Sequence, residues 1–166
     1  MSHNESILQL RRFAPHDMAA LISWPQSLTE VQWWAGPQTP WPLTPVMIQR
    51  WHTDPDARPY VLHRGEALLG YGELWVDAEE QEVELARVIV APTQRGKGFG
   101  VALVGQLLAE AGRTAYPRTF VRVVPENRVA IACYLRAGFT PVSPADQRAF
   151  NRGQLIEYLW MSYDAR

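Results

Sequence analysis

The chain has 166 residues, an apolar share of 47% and a formal net charge of −1. These values fit one domain with a single well-buried core and argue against a disordered chain or a basic nucleic-acid binder. The apolar runs are too short to cross a bilayer, and residues 1–6 show no basic segment leading into an apolar one, so neither a membrane partner nor a signal peptide is expected. Cys133 stands alone, which leaves no intrachain disulfide and suits a reducing, cytoplasmic setting.

Residues 7–13 alternate loosely and predict a first strand. Pro15-His16-Asp17 resembles a helix start, with Met18, Leu21 and Ile22 on one face and Pro25 as its stop. A short helix is expected over 28–36, whereas three prolines keep residues 36–42 irregular. Thr44 can cap a further helix ending near Asp54-Pro55. Strand-like segments follow at 59–63, 68–76 and 83–90, joined by turns at Arg64-Gly65 and Asp77–Gln81, and predict an antiparallel meander. Next come a helix from about Gly98 to Arg113 and a strand over 120–124. Asn127 caps a helix that Gly138 ends, 139–142 is short and extended, and a last strand is expected over 155–161. This order describes a mixed sheet with helices packed on it.

One junction dominates. Val88-Ile89-Val90 is a β-branched run that stops at Pro92, and Arg95-Gly96-Lys97-Gly98-Phe99-Gly100 then opens a helix. Such an order leaves backbone N–H groups free at a helix N-terminus beside basic side chains, an arrangement suited to phosphate. It lacks the four-residue gap and hydroxyl of a nucleotide P-loop, and the spacing and acidic partner of a dinucleotide fingerprint. A turn that only packs a helix against a strand is the competing reading.

The segment Arg95–Gly100 fits the R/Q-x-x-G-x-G/A signature of the GNAT acyltransferase superfamily, and Asn127 to Phe139 resembles its second signature of Asn, a small residue, Tyr and Gly-Phe. The resemblance implies an α/β (α+β) fold. Its GNAT-like mixed, mostly antiparallel sheet has six to seven strands flanked by about four helices. It divides a single acyltransferase domain, 1–166, into variable acceptor-side helices and loop (1–57), a coenzyme-binding core (58–142) and a C-terminal strand region (143–166). It further implies acetyl-CoA as cosubstrate and an N-acetyltransferase activity toward a primary amine, with a catalytically inactive acetyl-CoA-binding sensor or interaction module as the alternative. By this resemblance the amides of Arg95, Gly96, Lys97, Gly98, Phe99 and Gly100 hold the pyrophosphate, Val88, Ile89 and Val90 take the pantetheine arm, and Asn127 and Arg128 contact the coenzyme. One N–H of Val88 or Val90 would polarise the thioester carbonyl.

Tyr134 lies two helical turns after Asn127 and matches the family's tyrosine that protonates the departing thiolate, although a core aromatic would also fit. Glu84 is the candidate base, because simple alternation gives it the parity of Val88 and Val90. Glu73 on the neighbouring strand is its rival and a candidate for the acceptor side. Trp33, Trp34 and Trp41 either offer aromatic faces to an ammonium group or fill space between short helices and sheet. Trp33-Trp34-Ala35-Gly36 also resembles, locally, the aminoglycoside 6′-N-acetyltransferase branch. The four histidines show no ligand spacing, so no metal is expected. The acceptor is expected to be a small-molecule or peptide amine, and a homodimer is left open.

Overall fold

The computed structural model describes residues 7–165. Residues 1–6, where no signal peptide is expected, and Arg166 lie outside them. Seven strands form one sheet: β1 (Leu8–Arg12), β2 (Ala57–Arg64), β3 (Ala67–Asp77), β4 (Glu82–Val90), β5 (Arg118–Val123), β6 (Thr140–Pro141) and β7 (Leu159–Asp164). Their order is β1-β2-β3-β4-β5-β7-β6, and every pairing is antiparallel except β4 with β5. Six α-helices accompany it: α1 (Met18–Ser23), α2 (Leu28–Ala35), α3 (Pro45–Trp51), α4 (Phe99–Gly112), α5 (Arg128–Ala137) and α6 (Pro144–Phe150). No helix among the described residues is long and apolar enough to cross a membrane.

The sheet is the expected one, but the helices outnumber the four anticipated. The unforeseen α6 is held by the Ser143 hydroxyl, which accepts from the Asp146 N–H at 3.1 Å, and it buries none of its residues. Without an apolar face it leaves no periodic mark in the sequence. The last strand begins at Leu159, four residues later than alternation suggests. The Asn151 side chain takes both backbone groups of Tyr158 at 2.9 Å, and Leu155 before it is turned out, 65% exposed.

The sheet is buried on both faces. Leu103, Val104 and Leu107 of α4, with Tyr134 of α5, pack on Leu62, Leu74, Leu85 and Val121. On the opposite face Leu21, Val31 and Ile48 from α1–α3 cover Val61, Tyr71 and Ile89. Each buried leucine contributes roughly 2 kcal/mol relative to an exposed one. The approach of α4 depends on missing side chains in β3: a Cβ on Gly72 would stand 2.7 Å from Leu107 Cδ1. This packing fixes where α4 begins, and so fixes the position of the turn before it.

Candidate active site

The site grows from a gap in the sheet. β4 and β5 pair only over Glu82–Leu85 and Arg118–Val121. Beyond Leu85 the strands part, and the edge of β4 from Ala86 to Val90 has no strand beside it on that side. A bulge occurs where they separate. Between the pairs Tyr71↔Ile89 and Glu73↔Ala86, β3 spends one residue and β4 spends two, Arg87 and Val88. Arg87 takes a positive φ of 49°, a left-handed conformation costing about 1–2 kcal/mol for a residue with a side chain. The extra residue bends the strand and resets its alternation. Val88 therefore packs toward α4, while Ile89 packs toward α1–α3. Glu84, before the bulge, faces away from Leu85 and opposite Trp75. The shared parity of Glu84 with Val88 and Val90 does not survive, because simple alternation takes no account of the inserted residue.

The wedge runs into the glycine turn. Pro92–Gln94 form a single 3-10 turn, and Gly98 at φ 84° is the residue before α4. No side chain caps that helix. Among the described residues, the amides of 96–101 donate to no protein acceptor. A Cβ built on Gly96 or Gly98 would meet nothing within 4 Å, so open space lies above this row of donors. Gly100 serves a different end, since its Cβ would stand 3.2 Å from Cys133 Sγ where α4 and α5 meet. Uncompensated donors, the helix dipole and an open cradle together favour an anion with several oxygens.

Turn and wedge share one cleft of about 990 Å³, walled by α2, β4, α4, β5 and α5. Tyr134 lines it and is only 7% exposed. Burial, reinforced by Cys133 and Glu84, pushes its phenol well above the ordinary tyrosine value, so it keeps its proton at neutral pH. Glu84 also lines the cleft and is clamped by Arg122, whose Nε and Nη2 donate at 2.6 and 3.3 Å. Burial raises the Glu84 carboxyl above the usual range, and the Arg122 charge opposes the rise. Asn127 lines the cleft while its Oδ1 caps α5, accepting from the Ala130 N–H at 3.2 Å. A second cavity of about 770 Å³ adjoins through Trp33, Pro37 and Tyr158 and carries Glu126 and Glu157.

The model of the acetyltransferase (GNAT) family matches residues 24–139 of the chain. The chain belongs to the GNAT acetyltransferase family. Two relatives come from Bacillus subtilis (strain 168). The uncharacterized N-acetyltransferase YobR is 36% identical over 59 residues, 36% of this chain and 24% of its own length. The uncharacterized N-acetyltransferase YfmK is 25% identical over 97 residues, 57% of this chain and 65% of its own length. The chain thus spans less than two thirds of either relative. Among solved structures, the spermidine N-acetyltransferase of Vibrio cholerae in complex with CoA and spermine matches with a TM-score of 0.74 at 20% identity, over 95% of both chains. The aminoglycoside acetyltransferase AAC(6')-Ib in complex with coenzyme A and kanamycin matches with a TM-score of 0.72 at 21% identity, again over 95% of both chains. These two likenesses are likenesses of fold.

Within the GNAT frame, Val88, Ile89, Val90, Arg95, Gly96, Gly98, Phe99 and Gly100 all border the cleft. Arg95 does so with its side chain committed elsewhere: Nε donates to the Val90 carbonyl at 3.1 Å, and the guanidinium pairs with Glu30 of α2. Lys97 and Arg128 are exposed and lie outside the lining, Lys97 reaching Gln94 and Arg128 opening α5. Trp33 and Trp34 line the cleft, but Trp41 does not and is 46% exposed. The acceptor-side expectation is corrected for Glu73. It is wholly buried, accepting from Tyr71 Oη at 2.6 Å, Trp75 Nε1 at 2.7 Å and Arg87 Nη1 at 2.9 Å, and it cannot meet an acceptor or serve as base. Tyr71 gives its one proton to Glu73, so the contact with His52 at 2.9 Å is donated by His52 Nε2. The sequence reading missed Arg122, Arg87 and Trp75 in the lining. For Arg122 a signal exists, since it alternates with the buried Val121 and Val123 and so faces the side of Glu84.

Proposed function

We propose that this protein is an acetyl-CoA-dependent N-acetyltransferase that acts on a primary amine by direct attack on the thioester. The observation that carries the reading is the row of unengaged amides at 96–101 opening into the β4–β5 wedge. Those amides and the α4 N-terminus would neutralise the pyrophosphate of the cosubstrate. The free edge of β4 would take the pantetheine amides, and one β4 N–H past the bulge would polarise the acetyl carbonyl.

Holding both reactants in one cleft supplies much of the rate. Glu84 would draw the proton from the incoming ammonium group through a water molecule, and the amine nitrogen would then bond to the acetyl carbon. As the C–S bond breaks, Tyr134 would give its proton to the thiolate and would be reprotonated by the second proton leaving the adduct nitrogen, so that an N-acetyl amide and coenzyme A remain. Tyr134 carries its proton at neutral pH and Glu84 lines the same cleft, which supports this pairing of roles. The acceptor's body would extend past Trp33 and Tyr158 toward the adjoining cavity. The neighbours solved with spermine and kanamycin support an amine of small size as the acceptor class.

The test combines acetyl-CoA calorimetry with thiol release across a panel of polyamines, aminoglycosides, amino acids and peptides. Saturable binding with acceptor-dependent thiol is expected. Binding without thiol from any amine would favour the sensor or interaction module, and no binding would remove the reading altogether.

A further inference from the structure

Three tryptophans and a buried ion pair converge on the β4 bulge where it borders the cleft. The Arg87 carbonyl, turned off the β3–β4 ladder, accepts the indole N–H of Trp34 at 2.6 Å, across 53 positions of sequence. The Arg87 guanidinium lies 4.0 Å from the centre of the Trp51 ring and 5.0 Å from that of Trp75. Its Nη1 is fixed by Glu73, which Tyr71 and Trp75 hold in turn. The Arg87 Nε is buried without a partner. A fold that places an arginine in a left-handed conformation and leaves one of its N–H groups unsatisfied is keeping it there against a cost.

We propose that Trp34, with the Arg87–Glu73 pair behind it, is a positioning residue that holds the β4 bulge and thereby aims the amides beyond it at the thioester carbonyl. The inference rests on the acetyl-CoA reading above. The bulge decides which way every later residue of β4 faces, because a one-residue change of register turns the strand over. It also turns β4 away from β5 and opens the wedge. Trp34 acts through the Arg87 carbonyl, and a donor displaced by about 1 Å can lose on the order of 100-fold in rate.

The experiment uses acetyl-CoA labelled with carbon-13 at the acetyl carbonyl, bound to the full chain and read by difference infrared spectroscopy, with affinity from calorimetry. In the wild type the bound carbonyl band is expected below its position in solution, as a hydrogen-bonded thioester requires. Trp34→Phe keeps a ring but removes the donor. Its acetyl-CoA affinity should stay within about threefold, while the band moves back toward the solution position. Arg87→Lys, which keeps the charge beside Glu73 but not the planar stack, should move the band the same way, and it decides the matter if Trp34→Phe does not fold. An unchanged band in the folded variants overturns the inference, as does a wild-type band that binding never shifts. Wild-type protein that fails to bind acetyl-CoA overturns the coenzyme reading instead.

Discussion

The glycine turn and the β4 bulge line the same cleft and are built in opposite ways. The turn is local: residues 92–101 supply its geometry, and glycine at φ 84° makes the left-handed step without strain. The bulge is remote: its left-handed step falls on Arg87, and residues 34, 51, 73 and 75 hold it in place. A backbone site can be written as a short motif, whereas a site held by distant side chains cannot.

The difference can be broken most severely at the turn. Gly98→Glu puts a side chain on a positive φ and a carboxylate where phosphate is expected, and acetyl-CoA affinity should fall by about 100-fold or more in calorimetry. Next in size, Tyr134→Phe should lower turnover by roughly 100-fold in thiol release while leaving coenzyme affinity unchanged, which separates the chemistry from both turn and bulge.

Glu84→Gln should cost about tenfold in kcat/KM at pH 8. Because burial raises the Glu84 pKa, the wild type's acid limb should lie above the ordinary glutamate range. The two enzymes should therefore converge as pH falls through that limb, and only the wild type should show it. The smallest effect is expected opposite the bulge. Gly72→Ala forces its methyl onto Leu107 and to within 3.4 Å of Val88 Cγ2. It should cost ~1–3 kcal/mol and lower the melting temperature by a few degrees, read by calorimetric scanning.

Legibility follows the same division. The meander, α4, β5 and α5 can be read because apolar period, caps and glycines agree there: Asn127 caps α5 and Gly138 ends it at φ 105°. The helix α6 cannot, since none of its residues is fully buried, and the apolar stretch before β7 misleads because Leu155 points outward. At the site, the glycine turn announces itself, but the inserted residue at Arg87 does not, for arginine is not a residue that usually marks a left-handed step. Glu73 illustrates the cost. By position alone it reads as a rival base and an acceptor-side residue, yet β3 buries it as the counter-charge of Arg87.

The bare edge of β4 between Ala86 and Val90 has a consequence for the unliganded molecule. It is an unfinished sheet, with hydrogen-bonding capacity turned inward on a crevice instead of outward on solvent. A ligand that hydrogen-bonds along it becomes structural as well as reactive. At 100 times its dissociation constant such a ligand adds about 2.7 kcal/mol to the stability of the fold, and the resting protein is accordingly the more fragile form.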